Sequence, residues 1–261
     1  ARQFIFRMRE FEQMEMQFFI RPGTQKEWYE YWKQARLKWH LELGVPDTEY
    51  RFHDHVKLAH YADAACDIEF NFPIGFKELE GIHSRTDYDL SRHQEFSRKK
   101  MQYFDNDVNP ETGKPYGNYI PYVIETSIGL DRMFLSMVCA AYTEEDLSTP
   151  EKQDNRVVLK FPAKLAPIKL AVFPLLKKDG LPEIAQEIMA QYRGEFKCFY
   201  EEKDAIGKRY RRMDALGVPF CVTIDHQTKE DGTVTIRHRD SMEQERISIE
   251  KIGNIVSQAI S

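Results

Sequence analysis

Residues 4–20 carry a dense mixture of aromatic and charged positions. Phe4, Phe6, Phe11, Met14, Phe18 and Phe19 stand among Arg7, Arg9, Glu10, Glu12 and Glu15, and this content predicts a strand. Thr24 then opens a stretch in which Trp28, Tyr31, Trp32 and Ala35 recur at helical spacing, and Thr24 with Glu27 fits a capping box. Residues 65–82 predict two strands, Cys66–Phe72 and Phe76–Ile82, turned at Pro73-Ile74-Gly75. Asp105–Asn118, punctuated by Asn109-Pro110, Gly113-Lys114-Pro115 and Gly117-Asn118, predicts a polar loop. An apolar strand, Tyr119–Ile124, and a buried helix, Met133–Tyr142, are expected to follow.

Residues 143–157, with Glu144-Glu145-Asp146 and Ser148-Thr149-Pro150-Glu151-Lys152, are the linker-like segment, and the domain boundary is expected there. The expected units are 1–150 and 164–261, joined by 151–163. Beyond the boundary, strands Ile168–Phe173, Phe196–Tyr200 and Phe220–Ile224 alternate with helices Leu181–Tyr192 and Ile206–Ala215. A hairpin strand, Thr233–His238, and a final helix from Ile249 complete the chain. This alternation predicts an α/β layer on a largely parallel sheet. The stretch Lys229-Glu230-Asp231-Gly232 supplies the one clear hairpin turn, which makes the sheet mixed.

Composition narrows the classes. The 261 residues are 42% hydrophobic and 30% charged with a net charge of −5, a globular balance without an apolar run of membrane-spanning length. A protein held to nucleic acid mainly by phosphate neutralisation is normally basic, so any RNA contact here has to be local. Cys66, Cys139, Cys198 and Cys221 are far apart in apolar contexts, which suits buried thiols in a reducing cytoplasm better than disulfides or zinc. The start at Ala1-Arg2-Gln3, without an initiator Met or a leader, reads as a piece of a longer chain.

Two clusters carry chemistry. On an extended strand Arg7, Arg9 and Phe11 would share one face. A guanidinium beside an aromatic ring is a seat for a nucleotide, the ring stacking on the base and the arginine holding phosphate. A solvated strand face with ordinary ion pairs is the plain alternative. Glu125 to Arg132 places a carboxylate at the end of an apolar strand and an arginine at the start of an apolar helix, charges that need partners if buried. A capping Ser127 with a helix-end ion pair would also satisfy that pattern. His53, His55 and His60 include a His-x-His pair, but no Cys or carboxylate stands at matching spacing, so a structural role and no zinc are expected.

Five segments resemble the homodimeric glycyl-tRNA synthetases, class II aminoacyl-tRNA synthetases, in order and spacing. They are Phe6-Arg7-Met8-Arg9-Glu10-Phe11-Glu12-Gln13-Met14-Glu15, Glu78-Leu79-Glu80-Gly81-Ile82, Arg85-Thr86-Asp87-Tyr88-Asp89-Leu90, Glu125-Thr126-Ser127-Ile128-Gly129-Leu130-Asp131-Arg132 and Gly207-Lys208-Arg209-Tyr210-Arg211-Arg212. The resemblance spans essentially the whole chain. It implies the C-terminal portion of the enzyme: an α+β catalytic core with an antiparallel sheet, truncated at its N-terminal side, then an α/β anticodon-binding domain with a mixed sheet. Asp131 stands where the class has Glu, and Thr126 where relatives often have Pro. The first strand of motif 2 and all of motif 1 would lie upstream of Ala1, so the isolated piece is expected to be inactive.

What the resemblance implies can be laid on single residues. ATP would meet Phe6, Arg7, Met8, Arg9, Glu10, Phe11, Glu78, Leu79, Gly129, Leu130, Asp131 and Arg132. Within that set Phe11 would stack on adenine, Arg7 and Arg132 would act catalytically on the phosphates, and Glu78 would meet Mg2+. Glycine would meet Phe11, Glu12, Gln13, Met14, Glu15, Arg85, Glu125, Thr126, Ser127, Ile128 and Gly129, its ammonium between Glu15 and Glu125. The tRNA would meet Lys208, Arg209, Arg211, Arg212, Arg237 and Arg239. The implied partners are glycine, ATP with Mg2+, glycine tRNA and a second copy of the full-length chain, in the cytoplasm, with no membrane, DNA or zinc. The competing reading is a synthetase-like tRNA-binding or accessory protein without activation activity; its mark would be loss of the ligand-facing set, and that set is intact.

Overall fold

In the computed structural model, which describes residues 3–261, the chain divides into two compact units between Ser136 and Met137. The elements of the first are β1 (Gln13–Ile20), α1 (Gln25–Glu42), β2 (Tyr50–Asp54), β3 (Ala64–Phe72), β4 (Gly75–Ser84), α2 (Tyr88–Ser97), β5 (Tyr103–Val108), β6 (Pro115–Tyr119), β7 (Tyr122–Gly129) and the start of α3 (Leu130–Ala141). Five strands form an antiparallel sheet in the order β1-β7-β4-β3-β2. Strand alternation gives this sheet an apolar and a polar face. Phe18, Ile82, Ile124 and Ile128 lie on the face covered by α1, where the Phe18 ring sits 4.8 Å from Trp28 and 5.3 Å from Trp32. The opposite face carries Gln13, Glu15 and Gln17 of β1 opposite Gly129, Ser127 and Glu125 of β7, and Gly81 and His83 of β4 beside Ser127 and Glu125.

One irregularity matters for the site. Ile68 pairs with Glu80 and Glu69 with Glu78, so Leu79 is an extra residue in β4. Such a bulge re-aims the side chains beyond it. Glu80 stays on the α1 face, buried, with Arg36 Nε donating to Oε1 at 2.5 Å and His40 Nε2 2.7 Å from Oε2, while Glu78 stands opposite Glu69 on the polar face.

The second unit holds the hairpin β8 (Tyr142–Asp146) and β9 (Asn155–Leu159), followed by β10 (Leu170–Pro174), α4 (Leu181–Tyr192), β11 (Cys198–Tyr200), α5 (Ile206–Leu216), β12 (Phe220–Ile224), α6 (His226–Asp231), β13 (Thr233–His238), β14 (Gln244–Ser248) and α7 (Lys251–Ile260). Its five-stranded sheet runs β11-β10-β12-β13-β14, parallel across the first three strands and antiparallel across the last two pairings. Leu170, Val172, Val222, Val234 and Ile236 pack under Leu181, Ala185, Ile188, Ile252 and Val256 of α4 and α7. Ala171, Phe173 and Cys221 pack on the other face against Tyr210 and Met213 of α5. With both faces covered, the central strands are buried at every position, which is why they read as unbroken apolar runs.

Several expectations change. Residues 4–20 are a 3-10 turn at Phe4–Phe6, an irregular stretch and then β1, so Arg7, Arg9 and Phe11 do not share a strand face. Charge-rich 7–12 gains nothing from pairing in a half-buried ladder. The Thr24 hydroxyl donates to the Arg21 carbonyl at 2.7 Å instead of capping α1, whereas a capping box does form at Asp225 and Thr228. The expected loop 105–118 is the hairpin β5–β6, and the linker-like 143–157 lies mostly in the β8–β9 hairpin. Both hairpins are largely exposed and rich in acidic or turn residues, which hides the strand pattern. The expected turn at 229–232 is the end of α6, closed by Gly232 in the left-handed conformation (φ 67°).

Candidate functional site

A cleft of about 340 Å³ opens on the polar face of the first sheet, lined by residues 5–8, Phe11, Gln13, Glu78, Leu79, Gly81, His83, Ser127, Gly129, Asp131 and Arg132. The 3-10 turn buries Phe6 edge-on against Phe72 at 5.2 Å, which anchors the irregular segment on the sheet. The Arg132 guanidinium lies 4.4 Å from the Phe6 ring centroid, and its Nε donates to the Phe6 carbonyl at 3.2 Å. Its Nη1 donates to the Glu78 carbonyl at 3.0 Å and lies 3.2 Å from the Glu78 carboxylate. A preorganised arginine thus shares the lining of the cleft with the Phe11 ring, which is 60% exposed.

Beside this wall the β1–β7 pairing brings distant residues together. Gln13 Nε2 donates to Ser127 Oγ at 3.2 Å, and that hydroxyl donates to Glu15 Oε1 at 3.4 Å. Glu125, nearly buried, accepts from Gln17 Nε2 at 2.5 Å and from Arg85 Nη1 at 2.9 Å. Arg85 Nε donates in turn to Asp89 at 2.8 Å, and its guanidinium lies 4.2 Å from the Tyr61 ring centroid. Burial holds the His83 imidazole below its ordinary pKa, toward the neutral form. Its Nδ1 has no hydrogen-bond partner and lies 3.7 Å from Glu125. The arrangement offers two carboxylates and a hydroxyl to a small cation, next to an arginine and an open ring suited to an anionic aromatic ligand.

The expected residues divide into those the cleft gathers and those it does not. Phe6, Arg7, Met8, Phe11, Gln13, Glu78, Leu79, Ser127, Gly129, Asp131 and Arg132 line it. Glu15, Glu125 and Arg85 adjoin it through the bonds just described. Arg9, Glu10 and Leu130 are outside the lining, and the Glu12 carbonyl accepts from the Leu130 amide at 2.9 Å. Met14, Thr126 and Ile128 occupy the alternate strand positions, on the α1 side. Sequence reading missed Gln17, Gly81, His83 and Asp89. One of them was findable, because Gln17 continues the parity of Gln13 and Glu15.

In the second unit Arg237 is buried and donates with both arms to Asp214 at 2.8 and 3.0 Å. Arg239 is buried and donates to the carbonyls of Gly217 at 2.9 Å and Phe161 at 2.7 Å. Arg209 is buried with its donors on the Asp204 and Pro174 carbonyls. These three guanidinium groups hold the domain together instead of facing an RNA, an assignment that residue type alone cannot supply. Lys208 is exposed, while Arg211 pairs with Asp154 at 2.9 Å and Arg212 with Asp204 at 2.9 Å.

Comparison with known proteins converges on one family. A family model described as an anticodon binding domain matches residues 169–259. Glycine–tRNA ligase of Treponema denticola is 55% identical over 95% of this chain and 54% of its own length. The corresponding ligase of Agathobacter rectalis is 50% identical over 95% of the chain and 52% of its length, and that of Borrelia hermsii 49% identical over 100% and 57%. The chain spans about half the length of these curated relatives. The anticodon binding domain model over residues 169–259 and the near-complete alignment at this identity make the chain similar to about half of each of these glycine–tRNA ligases.

Proposed function

We propose that this chain contributes to ATP-dependent attachment of glycine to its tRNA through a glycyl-adenylate, with residues 1–150 forming part of a class II catalytic domain and 164–261 the anticodon-binding domain. The observation that carries the reading is the pairing of Glu15 opposite Ser127 and Gln17 opposite Glu125, with Ser127 and Arg132 lining the same cleft. Glycine has an ammonium and a carboxylate but no side chain. Glu15, Ser127 and Glu125 would hold the ammonium, Arg85 and Gln17 fixing the Glu125 carboxylate in place. One methyl group in an apolar pocket discriminates by only roughly 1–3 kcal/mol, so rejection of alanine rests on a wall close to the α-carbon. The glycine carboxylate would attack the α-phosphorus of ATP and expel pyrophosphate, Arg7 and Arg132 stabilising the phosphate charge and Phe11 stacking on adenine.

Glu78 is half-exposed in the cleft lining, and a single carboxylate fits Mg2+, which takes one or two carboxylates together with substrate phosphates. The ion would supply charge neutralisation on those phosphates. For RNA, exposed Lys208 and half-exposed Arg212 on α5 are the proposed phosphate contacts in the second domain.

The test is glycine-dependent pyrophosphate exchange in a chain of the relatives' full length. Glu15→Ala or Glu125→Ala should abolish exchange while ATP binding survives, since loss of a charge-assisted partner costs on the order of 1.5–3 kcal/mol. Unchanged exchange in both variants would refute the pocket. Charge reversal at Lys208 and Arg212 should weaken tRNA binding and flatten its salt dependence.

A further inference from the structure

The two sides of the β7 carboxylate and hydroxyl differ in kind. On one side β1 supplies the amides of Gln13 and Gln17, which already donate to Ser127 and Glu125. On the other, β4 places Gly81 opposite Ser127 and His83 opposite Glu125. Gly81 has no side chain, and the His83 imidazole lies over it: a Cβ at position 81 would come within 2.8 Å of Cε1 and 3.5 Å of Nδ1. The ring therefore fills the space that a side chain at 81 would take, next to Ser127. It is backed on the side of β4 away from β7. The His55 ring meets it edge-on, the centroids 5.9 Å apart and the planes at 74°. His55 Nε2 in turn lies 3.0 Å from Asp67 Oδ2, and Asp67 pairs with Gly81 across the sheet. The nitrogen 3.7 Å from Glu125, Nδ1, is sealed and unpartnered, yet 20% of the side chain stays open, in the cleft lining. What the ring brings to this side of the site is bulk.

We propose that His83 is the residue that keeps alanine out: its imidazole is the wall beside the α-carbon of a glycine held by Glu15, Ser127 and Glu125, and Gly81 is the recess that lets the ring stand there. The inference rests on the glycine pocket proposed above and assigns its selectivity to one side chain. Glycine and alanine carry the same ammonium and the same carboxylate, so the groups that attract those charges cannot tell them apart. Discrimination between them has to come from a clash, built against the larger ligand. A wall excludes a methyl group only if it does not yield, and in a close-packed setting yielding forces strained rotamers and backbone shifts. The imidazole meets that condition. Retreat toward β3 drives it into His55, which Asp67 holds, and Gly81 leaves it no side chain to ride over.

The test measures pyrophosphate exchange with glycine and with alanine in a chain of the relatives' full length, and reads the ratio of the two kcat/KM values. A purely structural role for His83 would lower both rates together and leave that ratio alone. His83→Ala should raise the alanine-to-glycine ratio by about 10- to 200-fold, the range that one methylene group spans in a pocket. His83→Phe keeps a ring over Gly81 without a titrating nitrogen, and it should keep the rejection of alanine. His55→Ala leaves the imidazole in place but removes its backing, so the ratio should rise severalfold. That variant gives the same reading if His83→Ala does not fold. An unmoved ratio in His83→Ala and His55→Ala, with glycine exchange retained, would overturn the wall and leave the glycine pocket standing. A raised ratio in His83→Phe equal to that in His83→Ala would also overturn it, because hydrogen bonding and not bulk would then be at work. Absence of glycine exchange in the unaltered full-length chain would instead refute the pocket itself, and the wall with it.

Discussion

Arg85 and Gln17 clasp the two oxygens of Glu125 from opposite sides, Arg85 Nη1 at 2.9 Å from Oε1 and Gln17 Nε2 at 2.5 Å from Oε2. The carboxylate is therefore fixed in position before any ligand arrives. Preorganisation of this kind saves ordering cost at the moment of binding.

Arg85→Ala should expose what that clasp contributes. Breaking a fully buried pair costs about 3–5 kcal/mol, and Arg85 retains some solvent access, so a loss of about 2–3 kcal/mol is expected for the first unit in urea unfolding. Arg85→Lys keeps the charge but not the fork shared by Glu125 and Asp89, and it should recover less than half of that loss.

Gly81 forms part of the cleft floor, and a Cβ there would meet His83 Cε1 at 2.8 Å. Gly81→Ala should displace the imidazole toward Glu125 and cost about 1–3 kcal/mol of stability by overpacking. The double variant Gly81→Ala with His83→Ala should regain most of it, which a double-mutant cycle in urea would read.

Glu80 gives the first unit an acid sensitivity. Burial pushes its carboxyl up, but bonds from His40 and Arg36 outweigh burial and hold it below the ordinary glutamate value. A group whose folded pKa is depressed contributes its full stability above the unfolded value and loses it as pH falls through the folded value. Unfolding free energy measured from pH 7 downward should fall across that interval, and Glu80→Gln should be less stable at neutral pH with a flatter acid slope.

Asp214 is the corresponding keystone of the second unit. It is completely buried and receives Arg156 Nε at 2.9 Å together with both arms of Arg237. Asp214→Ala strands two buried cations and should cost about 3–5 kcal/mol. Loss of the cooperative transition of residues 137–261, followed by hydrogen exchange on β12 and β13, would register it.

The legible parts of this chain were those in which burial writes a periodic pattern. Strands β10 and β12, covered on both faces, stand out as apolar runs, and α4 and α5 have one-sided apolar stripes. The hairpins β5–β6 and β8–β9 were read as loops because strands with exposed polar residues resemble turns. Within the site, the resemblance named residues of β1, β7 and α3, but not the hydrogen bonds that join them. The bond from Gln17 to Glu125 joins positions 108 residues apart, and only the β1–β7 register creates it. The bulge at Leu79 was equally hidden: one extra residue decides whether Glu78 faces the cleft or joins Glu80 in the interior. Conversely, the resemblance implied Arg209, Arg237 and Arg239 as RNA contacts, and sequence cannot reveal that Arg209 and Arg239 are satisfied by carbonyls, and Arg237 by the Asp214 carboxylate, of their own domain.

The interior strands β3 and β12 each enclose a thiol, and this provides the molecule with two internal timers. Cys66 lies in β3 of the first unit and Cys221 in β12 of the second, both unpaired by disulfides and both essentially sealed from solvent. Burial pushes the Cys66 thiol up to about 11 and raises that of Cys221 as well. Since only the thiolate attacks an alkylating reagent, neither sulfur reacts at neutral pH while its sheet is closed. Each is modified at the rate at which its own unit opens. Peptide mass analysis of a timed alkylation would therefore show whether the first and second units breathe together or separately, without attaching a reporter to either.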